Sequence, residues 1–296
     1  MEHFLMRGDV PLTEDQWRRI DEVVTEAARQ SLVGRRFIPL FGPVGPGVIT
    51  VPEETYYHVD IGRIDVTGEQ DEGAVIRPTR KEYVTLPILH KDFFLHWRDI
   101  EQSAQFNLPL EAGAAATAAM HTARAEDDLI FNGYPPLNQD GLLTVEGRHV
   151  LPMRDWDQVG AAFDDVVAAH QRLVEAGFYT PMALAVSPRR YANLHRVYAN
   201  TAVLEIEQIQ KLMRAGVFQT PVIPDDRAAV VATGEQNVDL ALAQDFITAF
   251  LESRNMNHYF RVFEVAALRI KRPDAVVTLE MGAREGGPPR GRRAGR

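Results

Sequence analysis

The stretch LTEDQWRRIDEVVTEAARQSLVG, residues 12–34, is the best-punctuated segment of the chain, and the fold is read outward from it. Thr13 stands at an N-cap position, Gln16 completes a capping box three residues later, and Leu12 and Trp17 are spaced as a hydrophobic staple. A helix is expected to start at Glu14. Trp17, Ile20, Val24, Ala27 and Ala28 recur at steps of three and four and form one apolar stripe, and Gly34 is expected to supply a left-handed stop. Something outside the helix must cover that stripe.

On the carboxy-terminal side, residues 39–52 carry Pro39, Gly42, Pro43, Gly45, Pro46, Gly47 and Pro52, which reads as an extended connector with a short strand at Val48–Val51. Residues 53–89 mix β-branched side chains with glycine and charge and suggest a long two-stranded arm. An isolated hairpin is marginal in water, so such an arm implies packing against another part of the fold or another chain. Residues 109–132 predict a long alanine-rich helix ended by Gly133, Pro135 and Pro136. Residues 137–232 read as an α/β unit: helices over about 157–176, 188–197 and 204–215, with a buried strand at Met182–Val186. Short strands are expected at 228–232, 240–243, 247–252, 260–268 and 275–279. The fold class is α+β.

The 296 residues are 45% hydrophobic and 25% charged, the proportions of a packed globular protein, and no cysteine is present. Thiolate metal sites, disulfides and cysteine nucleophiles are therefore excluded. No apolar run is long enough to cross a membrane and the first residues lack a secretory pattern, so a cytoplasmic location is expected. Five arginines (Arg284, Arg290, Arg292, Arg293 and Arg296) crowd the last thirteen residues beside Glu285, leaving residues 1–283 with 27 basic and 40 acidic groups, a formal −13. An acidic body opposes specific nucleic-acid binding, because phosphate contacts need a basic face. The Gly/Pro/Arg tail, 281–296, reads as a disordered basic extension.

Catalytic patterns are missing. Neither a Walker sequence, GxGxxG, HExxH nor GxSxG occurs. His90 and His96 read as ordinary half-buried histidines, and Glu126-Asp127-Asp128 as a solvated or interface charge cluster, since no Glu-x-x-His partner exists for a diiron site. Asp164-Asp165 and Asp225-Asp226 read as helix-start or turn acids, Ser187 has no local base, and Trp97 reads as core. No catalytic residue, metal ligand or cofactor site is expected. An uncovered helix and an unsupported arm point to assembly rather than catalysis.

Pro11–Trp17 with Ile20-Asp21, then Leu32–Phe37 and Phe41–Gly45, resemble the amino-terminal signature of encapsulin shell proteins. Glu126–Gly133 resembles the family's "EDxxIFxG", Gly141-Leu142-Leu143 its following turn and Ala243-Gln244-Asp245 its "GQD"; residues 92–101, 256–264 and 268–275 look most similar to the myxobacterial iron-mineralising member. The resemblance spans about residues 4–280. It implies the tailed-phage major capsid (HK97-like) fold, divided as an N-terminal cargo-docking helix (1–38), an E-loop and P-domain with spine helix (39–136), an A-domain (137–232), returning P-domain strands (233–280) and the tail, which would lie outside the shell.

The resemblance also implies a hollow icosahedral homo-oligomer, without membrane or specific nucleic acid, that encloses a cargo enzyme bearing a carboxy-terminal targeting peptide. A ferritin-like iron-mineralising cargo is favoured, with iron in the lumen through the cargo; a dye-decolourising peroxidase cargo and a prophage capsid protein are the alternatives. Carried over by position, Ile20, Val24, Ala27, Ala28, Arg35, Phe37, Ile38 and Leu251 would line the peptide groove, with Pro39 standing where many members have an acid. Tyr198, Asn200 and Thr201 would line a five-fold pore. Some members bind flavin through a Trp near the place of Trp97, one position out of register here, so no flavin is expected.

Overall fold

A computed structural model describes residues 3–56, 66, 75–106, 108–198 and 201–282 of the chain. Helix α1 spans Glu14–Ser31, and its start is capped as the sequence requires: Gln16 N–H donates to Thr13 Oγ1 at 3.2 Å while Thr13 N–H donates to Gln16 Oε1 at 3.0 Å. Its end differs. The helix stops at Ser31, Leu32 is extended, and Gly34 opens a separate 3-10 turn instead of adopting a left-handed cap. Gly34 serves close approach, because a Cβ there would collide with Ile130.

The chain continues through β1 (Leu40–Phe41), β2 (Thr50–Thr55), β3 (Arg80–Thr85), β4 (Ile88–Leu95), α2 (Trp97–Phe106) and α3 (Gly113–Asn132). Strands β2 and β3 pair antiparallel and form the base of the expected arm; residues 57–65 and 67–74 lie outside the described residues. The helix α2 is an addition to the sequence reading. The spine helix α3 ends at Gly133, whose φ of +76° no side chain would tolerate there, since a Cβ would strike the backbone of 139–141. That clash-free approach lets β5 (Gly133–Tyr134) pair with β6 (Gln139–Asp140).

Next come β7 (His149–Pro152), α4 (Ala161–Glu175), β8 (Met182–Val186), α5 (Pro188–Asn193), α6 (Glu205–Leu212), β9 (Gly216–Gln219), β10 (Arg227–Ala232), β11 (Val238–Arg254), β12 (Asn257–Ile270) and β13 (Val276–Glu280). The two strands expected at 240–243 and 247–252 are one strand, β11. Its register against β12 shifts around Gln244, Asp245 and Phe246, and this bulge is the irregularity that divided the apolar pattern.

Two sheets organise the molecule. One has the order β1-β11-β12-β4, the other β7-β13-β10-β8-β9. The expected grouping of 233–280 as returning strands is corrected at its end: β13 pairs with β10 and β7, inside the sheet of the 137–232 unit. Val276 to Leu279 are buried on both faces, and a strand with no exposed face belongs inside a sheet covered on both sides. One core lies between this sheet and α4, with α6 beside it, around Trp156, Val166, Leu173, Leu184 and Val230. A second joins the sheet's other face to β11 and β12. A third sits under α1, where Trp17, Ile20, Val24 and Ala28 pack with Ala115, Ala119, Phe93, Phe250 and Phe260.

Candidate functional site: the α1 groove and the loop at 198–204

The apolar stripe of α1 faces inward. Ile20, Val24 and Ala28 are 0%, 1% and 2% exposed, and Trp17 meets the ring of Phe260 edge-on at 5.7 Å. Burying a side chain of this kind is worth about 1.5–3 kcal/mol, and the stripe finds that burial within its own chain. Ile20 and Val24 are buried under α1, and Phe37 and Ile38 are buried in the core between β11–β12 and the other sheet. A groove runs along the outward side of the helix and reaches in as far as Trp17.

That groove is a hollow of about 1130 Å³ along α1, lined by Leu12, Trp17, Val23 and Ala27 with Ala116 of α3 and flanked by charged residues. It shares Thr25 and Arg29 with a smaller hollow of about 290 Å³, walled by Ala28, Leu32, Arg35, Arg36, Asp245 and Phe246, so the two form one channel past the end of the helix. Arg7 fixes the other end, bonding Asp21 through two contacts of 2.7 Å while its guanidinium lies 4.5 Å from the Trp17 ring centre. Of the carried-over residues, Ala27, Ala28 and Arg35 thus meet at the channel. Leu251 lies in a separate apolar hollow of about 520 Å³ with Phe4, Met6, Ile88, Phe250 and Phe263.

Arg35 is committed inside the chain. Its Nε donates to Glu126 at 2.7 Å, Nη1 to Asp245 at 2.7 Å and Nη2 to Glu264, under the ring of Phe246. The reading of 126–128 as a solvated cluster is corrected here: Glu126 and Asp127 are buried, and Asp128 alone of the three is exposed. Asp127 accepts from the N–H groups of Val33 and Gly34 at 3.1 and 2.9 Å, which fastens the turn after α1 to α3. Burial pushes its carboxyl up to about 6, against the lowering effect of those two hydrogen bonds. Glu264 was not singled out from the sequence, and alternation along β12 is the signal that places it on an inward face.

At the other candidate site, Tyr198 N–H donates to Val203 O at 2.8 Å, and a Val197–Leu204 bridge closes the loop. The Tyr198 ring rests edge-on against Phe163 at 5.5 Å, and the Thr201 hydroxyl donates back to the Tyr198 carbonyl. Asn200 lies outside the described residues. Trp97 is half-buried at the start of α2, near His96 and under Arg98, rather than in the core. Asp165 is buried and accepts from Trp156 Nε1 at 2.8 Å, a structural contact more central than a helix-start acid makes. Among the described residues no group of three or more His, Asp or Glu side chains is placed to hold a metal, and no helix is long and apolar enough to cross a membrane.

Comparison with known proteins agrees with this architecture. Residues 1–267 match the family described as encapsulating protein for peroxidase. The type 1 encapsulin shell protein of Myxococcus xanthus is 46% identical over 280 residues, 95% of this chain and 97% of that protein.

The chain belongs to the encapsulin family.

Encapsulin shell proteins are structural subunits of a closed nanocompartment, and the present chain is such a subunit. Solved structures give the same fold at low identity. A virus-like particle from Pyrococcus furiosus superimposes with a TM-score of 0.71 at 20% identity, over 89% of this chain and 99% of that one. The capsid of Myoviridae phage XM1 does so with a TM-score of 0.58 at 14% identity, over 82% and 89%. The encapsulin fold is therefore the tailed-phage capsid fold, as the sequence resemblance implied.

Proposed function

We propose that copies of this chain close into an icosahedral cytoplasmic shell whose lumen holds a cargo enzyme, docked by an apolar carboxy-terminal peptide in the channel along α1. The observation that carries this reading is the channel itself: an open, mainly apolar groove on the outward side of a helix whose other side is sealed into the core. Val23, Ala27 and Ala116 offer apolar surface for aliphatic anchors, and Arg18, Arg19 and Arg29 stand among Glu22 and Glu26 along the same hollow. Arg35 acts by shaping the far end of the channel, since each of its three nitrogens already bonds an acid of the chain, Glu126, Asp245 or Glu264. A ferritin-like, iron-mineralising cargo is favoured by the similarity to a ferritin-like-encapsulin shell fusion protein of Pyrococcus furiosus, 25% identical over 74% of this chain, with iron entering as the cargo's substrate. The family description favours a peroxidase as the second reading. Small ions would pass at the 198–204 loop, where Asn200 and Thr201 are the carried-over polar groups.

Deleting residues 1–38 is a poor test, because it removes Trp17, Ile20 and Val24 from the core. Ala27→Glu with Arg29→Glu is the better one. Shells co-produced with a ferritin-like protein carrying its terminal peptide are expected to be round and loaded in the wild type, and round and empty in the double variant. Full loading of the variant overturns the groove; wild-type material that forms no closed particles overturns the compartment.

A further inference from the structure

At the exit of α1, one cation is shared among acids from three elements. Glu126 comes from α3, Asp245 from the bulge of β11 and Glu264 from β12, and all three bond the guanidinium of Arg35 in the 3-10 turn. Glu126 and Glu264 are 0% exposed, whereas Asp245 reaches solvent. Asp127, the remaining buried acid nearby, is turned to Val33, Gly34 and the Thr220 hydroxyl. One oxygen of each fully buried carboxyl group, Oε2, contacts the same nitrogen, Arg35 Nη2, which sets the two carboxyls side by side. The second oxygen of each, Oε1, finds no donor among the described residues. Two ionised carboxylates cannot make a hydrogen bond; one proton between them can. Charge balance requires the same thing, since two buried anions facing one buried cation leave an uncompensated charge in a dry site.

We propose that Glu126 and Glu264 share a single proton, and that with Arg35 they form a latch holding the exit of α1 to α3, β11 and β12 at neutral pH and releasing it in alkali. Burial first, and then the charge of Glu126, hold the Glu264 carboxyl well above the usual carboxylate range, and the attraction of Arg35 does not offset them. The proton belongs to the pair rather than to either residue. Hydroxide removes it as water. The two carboxylates then repel one another across Arg35, the hydrogen bond between α3 and β12 is lost, and the second buried anion draws water in beside the turn at 33–36, which Asp127 also holds. Because that turn walls the far end of the channel, the latch couples alkaline pH to the shape of the groove, although it stands without any reading of the cargo.

Infrared difference spectra of assembled wild-type protein between neutral and alkaline pH provide the test. A carboxylic-acid carbonyl band, shifted in D2O, is expected at neutral pH and lost in alkali together with a cooperative rise in tryptic cleavage after Arg35 and Arg36. Glu264→Gln keeps a donor to Glu126 but no titrating proton. Its band is expected to be absent and its alkaline midpoint to move up by at least about one pH unit. Glu126→Gln is the reciprocal variant if the first does not assemble. A wild-type spectrum without a protonated carboxyl, or a Glu264→Gln shell that opens at the wild-type pH, overturns the latch.

Discussion

Gly34 lies against Ile130 so closely that no side chain fits between them. Ile130 is fully buried in the core shared by α3 and the β11–β12 hairpin, so its methyl groups have nowhere to retreat. Gly34→Ala is expected to destabilise the subunit by about 1–3 kcal/mol through overpacking. Differential scanning calorimetry of wild type and variant would measure the fall, and an Ile130→Val background should recover part of it. No recovery would mean that Ile130 is not what excludes a side chain at Gly34.

Thr13 provides a second, smaller test. Its hydroxyl accepts from Gln16, whose side chain also donates to Ser103 of α2 at 3.1 Å. Thr13→Ala should cost about 1 kcal/mol, the usual loss for an N-cap. Thr13→Ser should cost almost nothing. Equal losses in thermal melts of the two variants would argue against the cap.

Asp239 and Arg269 form a buried two-point ion pair at 2.6–2.7 Å, with Lys271 added at 2.7 Å. Asp239→Ala leaves the Arg269 charge buried and is expected to cost about 3–5 kcal/mol, enough to lower the yield of assembled particles. A double variant, Asp239→Leu with Arg269→Met, should recover most of that loss. Size-exclusion profiles and urea titrations would distinguish the outcomes.

Asp127 gives a pH dependence of known sign. Its carboxyl is held near 6 in the folded chain against an ordinary 3.8, so the native state favours the protonated form. The associated stability is fully present below the lower value and is lost as pH rises through the higher one. Asp127→Asn keeps an acceptor for Val33 and Gly34 without the charge. The unfolding free energy of the variant relative to wild type, followed by urea titration, is therefore expected to climb between about pH 4 and about pH 7, by an amount on the order of 3 kcal/mol. A constant difference across that window would show that Asp127 ionises without penalty.

Much of the fold was legible because its signals are local. The Thr13–Gln16 box lies within one helical turn, Gly133 ends α3 by its own backbone conformation, and Met182–Val186 is apolar throughout, so each is written in neighbouring residues. The bulge at 244–246 was legible only as a gap in apolar pattern, because pairing register is a property of two strands.

By itself the sequence determined that α1 is amphipathic, that the body is acidic and free of thiol chemistry, and which family's motifs it carries. Tertiary structure decided which side of α1 is free and what Arg35 touches. A stripe at helical spacing states that a face will be buried and not by what, and here the chain's own α3, β4 and β12 cover Ile20 and Val24. Likewise Glu126 and Glu264 lie 91 and 229 residues from Arg35. Removal from water makes such acids consequential, and water is excluded only when distant segments close over them.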